Sequence, residues 1–507
     1  MFIRQKKNKS GSISVQLISK YGGKYKVEKT IGSGSSQEQI TVLLHQARYE
    51  LQKVEQQIGL FVSVQDTEIE GYLQTLQNTQ IRTIGPELIF GKIYDAIGFS
   101  AIDEDLFRHL VIARLAFPLS KLKTIDYIYR YQGLCIEIDR VYRFLDKLNN
   151  TLKDQVEQIA YQHTLKILKG KISIVFYDMT TLYFEASEED DLRKAGFSKD
   201  GKHHLPQIYL GLLVGLGGYA IGYDIFEGNI YEGDTLIPVI DKLAKKFNLS
   251  KPVIVADAGL LSKENINKLA DNGYTYIIGA RPKSEPAVIK SEILSAHLKD
   301  GQTMVINKTD GNRLIVSFSD KRAAKDEHNR KRGLQRLEKQ VRSGKLTKAN
   351  INNKGYNKYL RMQGQVAIEI DYDKFNEDKQ WDGLKGYITN TTLKPATVLE
   401  QYRNLWHIEK AFRMSKTDLR IRPIYHRLKR RIEAHICLSF TAYAIYKELE
   451  RVLKKEKSDI SLKQAAELTH TMYQLNIILP ESKRKQTINL KMDEIQTQLW
   501  NIILKNY

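Results

Sequence analysis

Cysteine is nearly absent: Cys135 and Cys437 are the only two in 507 residues, and they lie far apart. Neither a disulfide framework nor a thiolate zinc site is built from such a pair, so a reducing cytosol is the expected setting. A long unbroken apolar run is also missing. The longest apolar tract, Ile208 to Phe226, carries Gly217-Gly218 in its middle and Asp224 near its end. It reads as strand, turn and strand rather than a membrane span, and no membrane partner is expected. The basic start, MFIRQKKNKSGS, has no apolar stretch behind it, so no secretory signal is expected there. Internal repeats and extended low-complexity segments are absent too. Acidic residues are the scarcer charge: Asp plus Glu number 59 against 79 Lys plus Arg, a formal +20. That excess favours a polyanionic partner, nucleic acid ahead of anionic membrane, against the plainer reading of a soluble basic protein.

The length predicts at least two domains. Residues 1–84 read as a β/helical segment. Residues 85–170 are dense in helical signals and form a candidate DNA-binding domain, although clear helix-turn-helix spacing is lacking. From 171 the pattern changes. KISIVFYD, QIYLGLLVGL and YAIGYDIFEGN read as strands, the last two a hairpin through Gly217-Gly218. A helix is predicted over Asp234 to Asn248 with Asp234 as N-cap, then a strand PVIVADAG, a helix capped by Ser262, and a strand YTYIIGA. Three antiparallel strands feeding parallel α/β units predict an α/β, ribonuclease H-like mixed sheet over 171–279. Residues 280–395 read as a β-rich insertion with a basic helix, Lys321 to Lys348. Residues 396–448 return to the helical end of the same domain. Residues 449–507 read as a helical C-terminal region with a capping-box-like SLKQ at Ser461 to Gln464 and a basic loop ESKRKQ.

Strands avoid aspartate, yet ISIVFYDMTTLYFE places Asp178 after a run of β-branched and aromatic residues. Asp257 follows the fourth strand in the same way. In this layout the two strands are neighbours, so both carboxylates emerge at the carboxyl ends, where open α/β sheets keep their active sites. Two close carboxylates repel, and a hard divalent cation, Mg²⁺ or Mn²⁺, relieves that repulsion. Two such ions would serve phosphodiester displacement. A third acid is Glu409 in EQYRNLWHIEKAFRMSK. On one continuous helix Tyr402, Glu409, Arg413 and Lys416 share a stripe, flanked by Leu405, Trp406 and Phe412. The competing reading of that stripe is an exposed salt-bridged face. His203-His204 and the GLGG at 215–218 are discounted as a metal site and a phosphate loop, because a third ligand and a following helix are both missing.

On YDMTTLYFE, GFSKDGKHHLPQIYLGLLVG, FEGNIYEGDTL, VIVADAG and WHIEKAFRMSKTDLRIRPIYH, the chain over about 170 to 445 resembles the DDE transposases of bacterial insertion sequences. The branch it resembles carries a Y-x2-R-x3-E-x6-K signature and a β-rich insertion before the catalytic Glu. The resemblance implies that Asp178, Asp257 and Glu409 form a catalytic, metal-binding triad for two Mg²⁺ or Mn²⁺ ions. Tyr402, Glu409 and Lys416 fit the signature; Leu405 stands where it has Arg, and Arg413 is the better physical substitute than Arg403. Thr180 and Thr181 are candidates to orient the first Asp, or simply strand formers. Trp381 is a candidate for stacking on an unstacked base, against the commoner role of a core tryptophan. The basic run Lys321 to Lys348 and the RLKRR segment, with Arg427, Lys429 and Arg430, are candidates for phosphate contact. The implied activity is cut-and-paste transfer through a DNA hairpin, on double-stranded terminal repeats and target DNA, by a DNA-bound homodimer in the bacterial cytoplasm at the nucleoid. Two alternatives stay open: a catalytically inactive DNA-binding descendant, and a structure-specific nuclease on the same fold.

Overall fold

The computed structural model describes residues 1–54, 64–185, 188–196, 201, 204–260, 262–344, 346–347, 350–352, 355–363, 367–479 and 482–507. Two compact units form: Met1–Ile81 with Gln474–Asn489, and Arg82–Tyr473 with Leu490–Tyr507. In the smaller unit β1 (Phe2–Lys7), β2 (Ile13–Tyr21) and β3 (Lys24–Gly34) make an antiparallel sheet. Val15 and Leu17 of β2 are buried with Ala47 of α1 (Gln37–Val54), and α2 (Val64–Leu73) follows. The chain leaves this unit in the short strand β4 (Ile81–Thr83).

The larger unit begins with helices α3 (Lys92–Ile97), α4 (Asp105–Ala116), α5 (Lys121–Tyr127), α6 (Ile138–Lys147) and α7 (Lys153–Ile167). Strands β5 (Ile174–Tyr183), β6 (Gln207–Gly215) and β7 (Ala220–Glu227) then form an antiparallel meander. The turn between β6 and β7 uses Gly217 and Gly218 at φ +78° and +84°, conformations that glycine adopts without strain. After α8 (Leu236–Phe247), β8 (Val253–Ala256) lies parallel to β5; after α9 (Lys263–Asp271), β9 (Thr275–Ala280) lies parallel to β8. The order β7-β6-β5-β8-β9 is that of a ribonuclease H-like sheet.

Residues 280–395 hold α10 (Ala287–Ser295), β10 (Thr303–Asn307), β11 (Arg313–Phe318), α11 (Asp320–Arg342), β12 (Leu360–Gln363), β13 (Ala367–Ile370), α12 (Tyr372–Glu377) and β14 (Leu384–Thr389). Three of these strands extend the main sheet. β14 pairs with β9, β11 with β14 and β10 with β11, giving eight strands. Among the described residues of this segment, β12 and β13 pair apart, next to a small core of Leu337, Tyr359 and Phe375. The chain then runs through α13 (Pro395–Arg403), α14 (Trp406–Arg413), α15 (Lys429–Lys455) and α16 (Leu462–Thr469). The C-terminal region departs from the helical expectation. β15 (Tyr473–Ile478) and β16 (Lys485–Asn489) form a hairpin in the smaller unit, where Tyr72 donates to the Ile478 carbonyl, before α17 (Glu494–Asn506) closes the larger one. The apolar–polar alternation of YQLNI, closing on two isoleucines, favours strand over helix.

The sheet is buried on both faces. Val175, Tyr177, Leu213, Ile254 and Ile278 face α8 and α9. Phe176, Leu182, Leu212, Val255 and Ile277 face the layer holding α4, α14 and α15. Alternation along β5 and β8 therefore sends Asp178 and Asp257 to the second face. Ser262 and Ser461 cap α9 and α16, accepting from Asn265 N and Gln464 N. Asp234 does not cap α8. A 3-10 turn over Glu232–Thr235 precedes that helix, and the buried Thr235 hydroxyl holds the turn by donating to the Glu232 carbonyl.

Candidate active site

Asp178 was expected to close its strand, but β5 continues to Tyr183 because β6 pairs with it along its whole length, Asp178 lying opposite Leu212. On the other side the ladder does stop. Tyr177 pairs with Ala256, the last residue of β8, and each is followed by an aspartate. The two carboxylates thus stem from adjacent strands, about 4.8 Å apart, on one face. Asp178 accepts from the Met179 backbone N at 2.7 Å and is half-buried; Asp257 is exposed. Thr180 and Thr181 are buried strand residues, and no hydrogen bond from either hydroxyl to Asp178 is seen among the described residues.

The single helix expected to carry Tyr402 through Lys416 is three pieces. α13 ends at Arg403. The ladder tightens across the corner, with Leu405 N, His407 N and Ile408 N donating to the carbonyls of Tyr402, Asn404 and Leu405, three residues back. A π-helical turn over Met414–Asp418 then holds Lys416. Each change of pitch rotates the wheel, so the expected stripe divides. Tyr402, Leu405, Ile408 and Phe412 are buried, whereas Glu409 and Arg413 are exposed. Leu405 sits in the core at this corner, where a guanidinium would be stranded. α14 packs across β5 and β6, with His407 edge-on to Phe176 at 6.4 Å.

Tyr402 is drawn to the acids by another route. Its hydroxyl donates to Asp257 Oδ1 at 2.8 Å. Gly279 makes this possible, because a Cβ there would lie 2.4 Å from that hydroxyl. Burial, then the Asp257 charge, push the Tyr402 phenol far up, so it stays a donor. Lys385 lies over the Tyr402 ring at 4.3 Å. Burial and then Arg322 push its ammonium down, while Asp257 and Glu409 act to raise it. Glu409 is therefore within electrostatic reach of Lys385 and Tyr402. Among the described residues neither Asp257 nor Glu409 forms an ion pair, and no three His, Cys, Asp or Glu side chains gather into a group able to hold a metal ion. The donor chemistry of Asp178, Asp257 and Glu409, hard carboxylate oxygens, suits a divalent cation.

A groove of about 640 Å³ opens beside Asp257 and Tyr402 and is lined by Arg281, Lys283, Arg322, Lys358, Trp381 and Lys385, among others. Lys283 and Lys358 are held by Asp378, which they and Tyr359 keep well below the usual carboxylate range despite its burial. Among the described residues Arg281 and Lys385 make no ion pair. Trp381 is half-buried, one side against the sheet core and the other on the groove. Lys385, Arg281 and Gly279 were not singled out in the sequence; a lysine inside the apolar strand LKGYIT was the available signal. Arg427 approaches Glu188 at 3.9 Å, both well exposed, and Lys429 opens α15, exposed. Arg430, expected on phosphate, instead shares Asp146 with Arg431 at 2.8 and 2.9 Å. Most of the basic run is α11; Lys348 lies outside the described residues, as does His203, and His204 is exposed.

Residues 169–445, more than half of the chain, match the family described as the transposase DDE domain. The chain belongs to that family. Among solved structures it is similar to the piggyBac transposase in a synaptic complex with hairpin DNA, at 9% identity over 76% of each chain, with a TM-score of 0.39. It is also similar to the Mos1 transposase in a paired-end complex with the left transposon end, at 13% identity over 34% of this chain and 57% of that one, with a TM-score of 0.16. No curated protein matches the chain.

Proposed function

We propose that this transposase cleaves DNA at the ends of a mobile element and joins the freed ends to a target by cut-and-paste, with Asp178, Asp257 and Glu409 holding two Mg²⁺ or Mn²⁺ ions. One observation carries the reading: Asp178 and Asp257 each follow the last paired residue of two adjacent parallel strands, on the face that α14 covers. Bound ions of this kind supply Lewis-acid stabilisation of phosphoryl charge and a nucleophile at neutral pH. The chain's residues position and bind. The strand ladder fixes the Asp178 backbone, and the Tyr402 hydroxyl aims Asp257. Arg281, Lys385 and Arg322 line a groove suited to backbone phosphates, with Trp381 beside them for a base. Arg413, one turn beyond Glu409 on the same exposed face, takes the phosphate-positioning part that Leu405 lacks. Lys416, Arg427 and Lys429 add contacts to duplex DNA. The working form is a homodimer on paired ends, in the cytoplasm at the nucleoid.

A second reading is a DNA-binding protein without catalysis, for which the basic excess and the cation-lined groove suffice. One experiment separates the readings. The protein is incubated with the DNA flanking its own gene, in Mg²⁺ and in EDTA, and the products are mapped. Mg²⁺-dependent nicks followed by 3′-OH ends joined to target are the expected result. Binding without nicks supports the second reading, and nicks without joining indicate a nuclease. Cleavage that persists in Asp178→Asn would sink the triad assignment.

A further inference from the structure

A separate cavity of about 580 Å³ lies among the helices of the larger unit, walled by the end of α4, the start of α5, Tyr142 of α6, the segment from Arg420 to His426, and His435 of α15. Its chemistry is one-sided. Arg114, Lys121, Lys123, Arg420, Arg422, His426 and His435 line it, and among the lining residues there is no Asp or Glu. Arg114 and Lys121 are only 5% and 6% exposed. Arginine and lysine are rarely buried so deeply unless paired. Among the described residues neither forms an ion pair. Arg114 makes two long contacts, to the carbonyls of Leu419 at 3.5 Å and Arg420 at 3.4 Å. Lys121 Nζ reaches His435 Nδ1 at 3.4 Å, and His435 Nε2 donates to the Ile421 carbonyl at 2.9 Å. With its proton on Nε2, His435 offers Lys121 a lone pair and no charge. Asp146, whose charge acts on His426, is already bound by Arg430 and Arg431.

A buried cation without a counter-charge is costly. Two reliefs are open: Lys121 loses its proton, or an anion enters. The walls favour the second. Arg114 and Lys121 line the same open cavity, and the fork of an arginine matches two oxygens of a phosphate. Arg420, exposed at the rim, adds a third positive group at the entrance. We infer that this cavity binds a phosphate group, seated on Arg114 and Lys121 with Arg420 at its mouth. The phosphate comes from the backbone of bound DNA or from a small free phosphate, and the site is independent of the acidic triad.

The test uses the full chain, with Lys121→Met and Arg420→Gln. Lys121→Met removes a buried charge and is expected to fold at least as well as the parent. Arg420→Gln alters only an exposed side chain and covers the case in which the first variant fails. The melting midpoint is measured in inorganic phosphate and in chloride at equal ionic strength. Affinity is then measured for a short duplex carrying single methylphosphonates along one strand. A midpoint raised by phosphate in the parent but not in the variants identifies a small free phosphate as the ligand. With no such shift, a single methylphosphonate position that weakens the parent about tenfold, and the variants little, identifies a backbone phosphate. The inference is overturned if phosphate stabilises parent and variants alike. It is equally overturned if phosphate acts no better than chloride and no methylphosphonate position distinguishes the parent from the variants.

Discussion

Two sets of carboxylates in the larger unit teach opposite lessons. On α15, Glu448 and Glu450 have side chains 2% and 7% exposed and are surrounded by cations and donors. Arg451 bonds Glu448 at 2.7 Å and Tyr507 donates to it at 2.6 Å, with His163 3.3 Å away. Lys447, Lys454 and Lys410 close on Glu450. Burial alone would raise both acids, yet these partners hold each at about 2. At the end of β8 and on α14, Asp257 and Glu409 are exposed and form no ion pair among the described residues. The same chemical group, enclosed by cations, ties a helix into the core. Left open on a rigid edge, it stays available to something that arrives from solvent.

The largest expected effect falls on the open set. Asp257→Asn and Glu409→Gln should each lower strand cleavage by about a thousandfold or more, the loss of several kcal/mol of transition-state stabilisation. Chemical denaturation of the same variants should show little change in stability; a large loss would show these acids to be scaffolding like those on α15. Glu448→Gln should do the reverse. Leaving Arg451 half-enclosed without its partner costs about 3–5 kcal/mol in a denaturant titration, with cleavage per folded molecule unchanged.

Acid should reveal the closed set next. Both folded-state values lie below the ordinary glutamate value of 4.5, so their contribution is fully present above about pH 4.5 and is lost as the pH falls toward 2. Each is worth roughly 3 kcal/mol on that shift. A denaturation midpoint that stayed level from pH 5 to 3 would contradict it. A smaller effect belongs to Gly279→Ala. Its Cβ would displace the Tyr402 hydroxyl, at about 1–3 kcal/mol of stability, and should slow cleavage by releasing Asp257. Tyr402→Phe, which removes the hydrogen bond without a clash, should cost only about 1 kcal/mol. Its cleavage rate then shows whether aiming Asp257 matters by itself.

Much of the sheet was legible in the chain because its signals are local. The β-branched runs around Phe176 and Val255, the Gly217-Gly218 turn and the Ser262 cap each act within a few residues, and chain order alone makes β5 and β8 neighbours. The helical stripe through Glu409 was not legible. A wheel assumes one pitch, and the corner at Asn404-Leu405 and the π turn after Arg413 change it twice. The 280–395 segment reads as β-rich, but only pairing across the fold shows β14 bonded to β9 and the insertion continuing the main sheet.

The order of elements, the basic excess and the placement of an aspartate behind each of two buried β-branched runs follow from the amino-acid sequence itself, because hydrophobic period and turn chemistry are properties of short stretches. Tertiary structure alone decided which acids are enclosed and which are open, that Tyr402 reaches Asp257 across a glycine, and that Arg114 and Lys121 share a cavity lined by no carboxylate. Those outcomes depend on distances between residues far apart in the chain, and electrostatic cost is set by who is near and how much water remains.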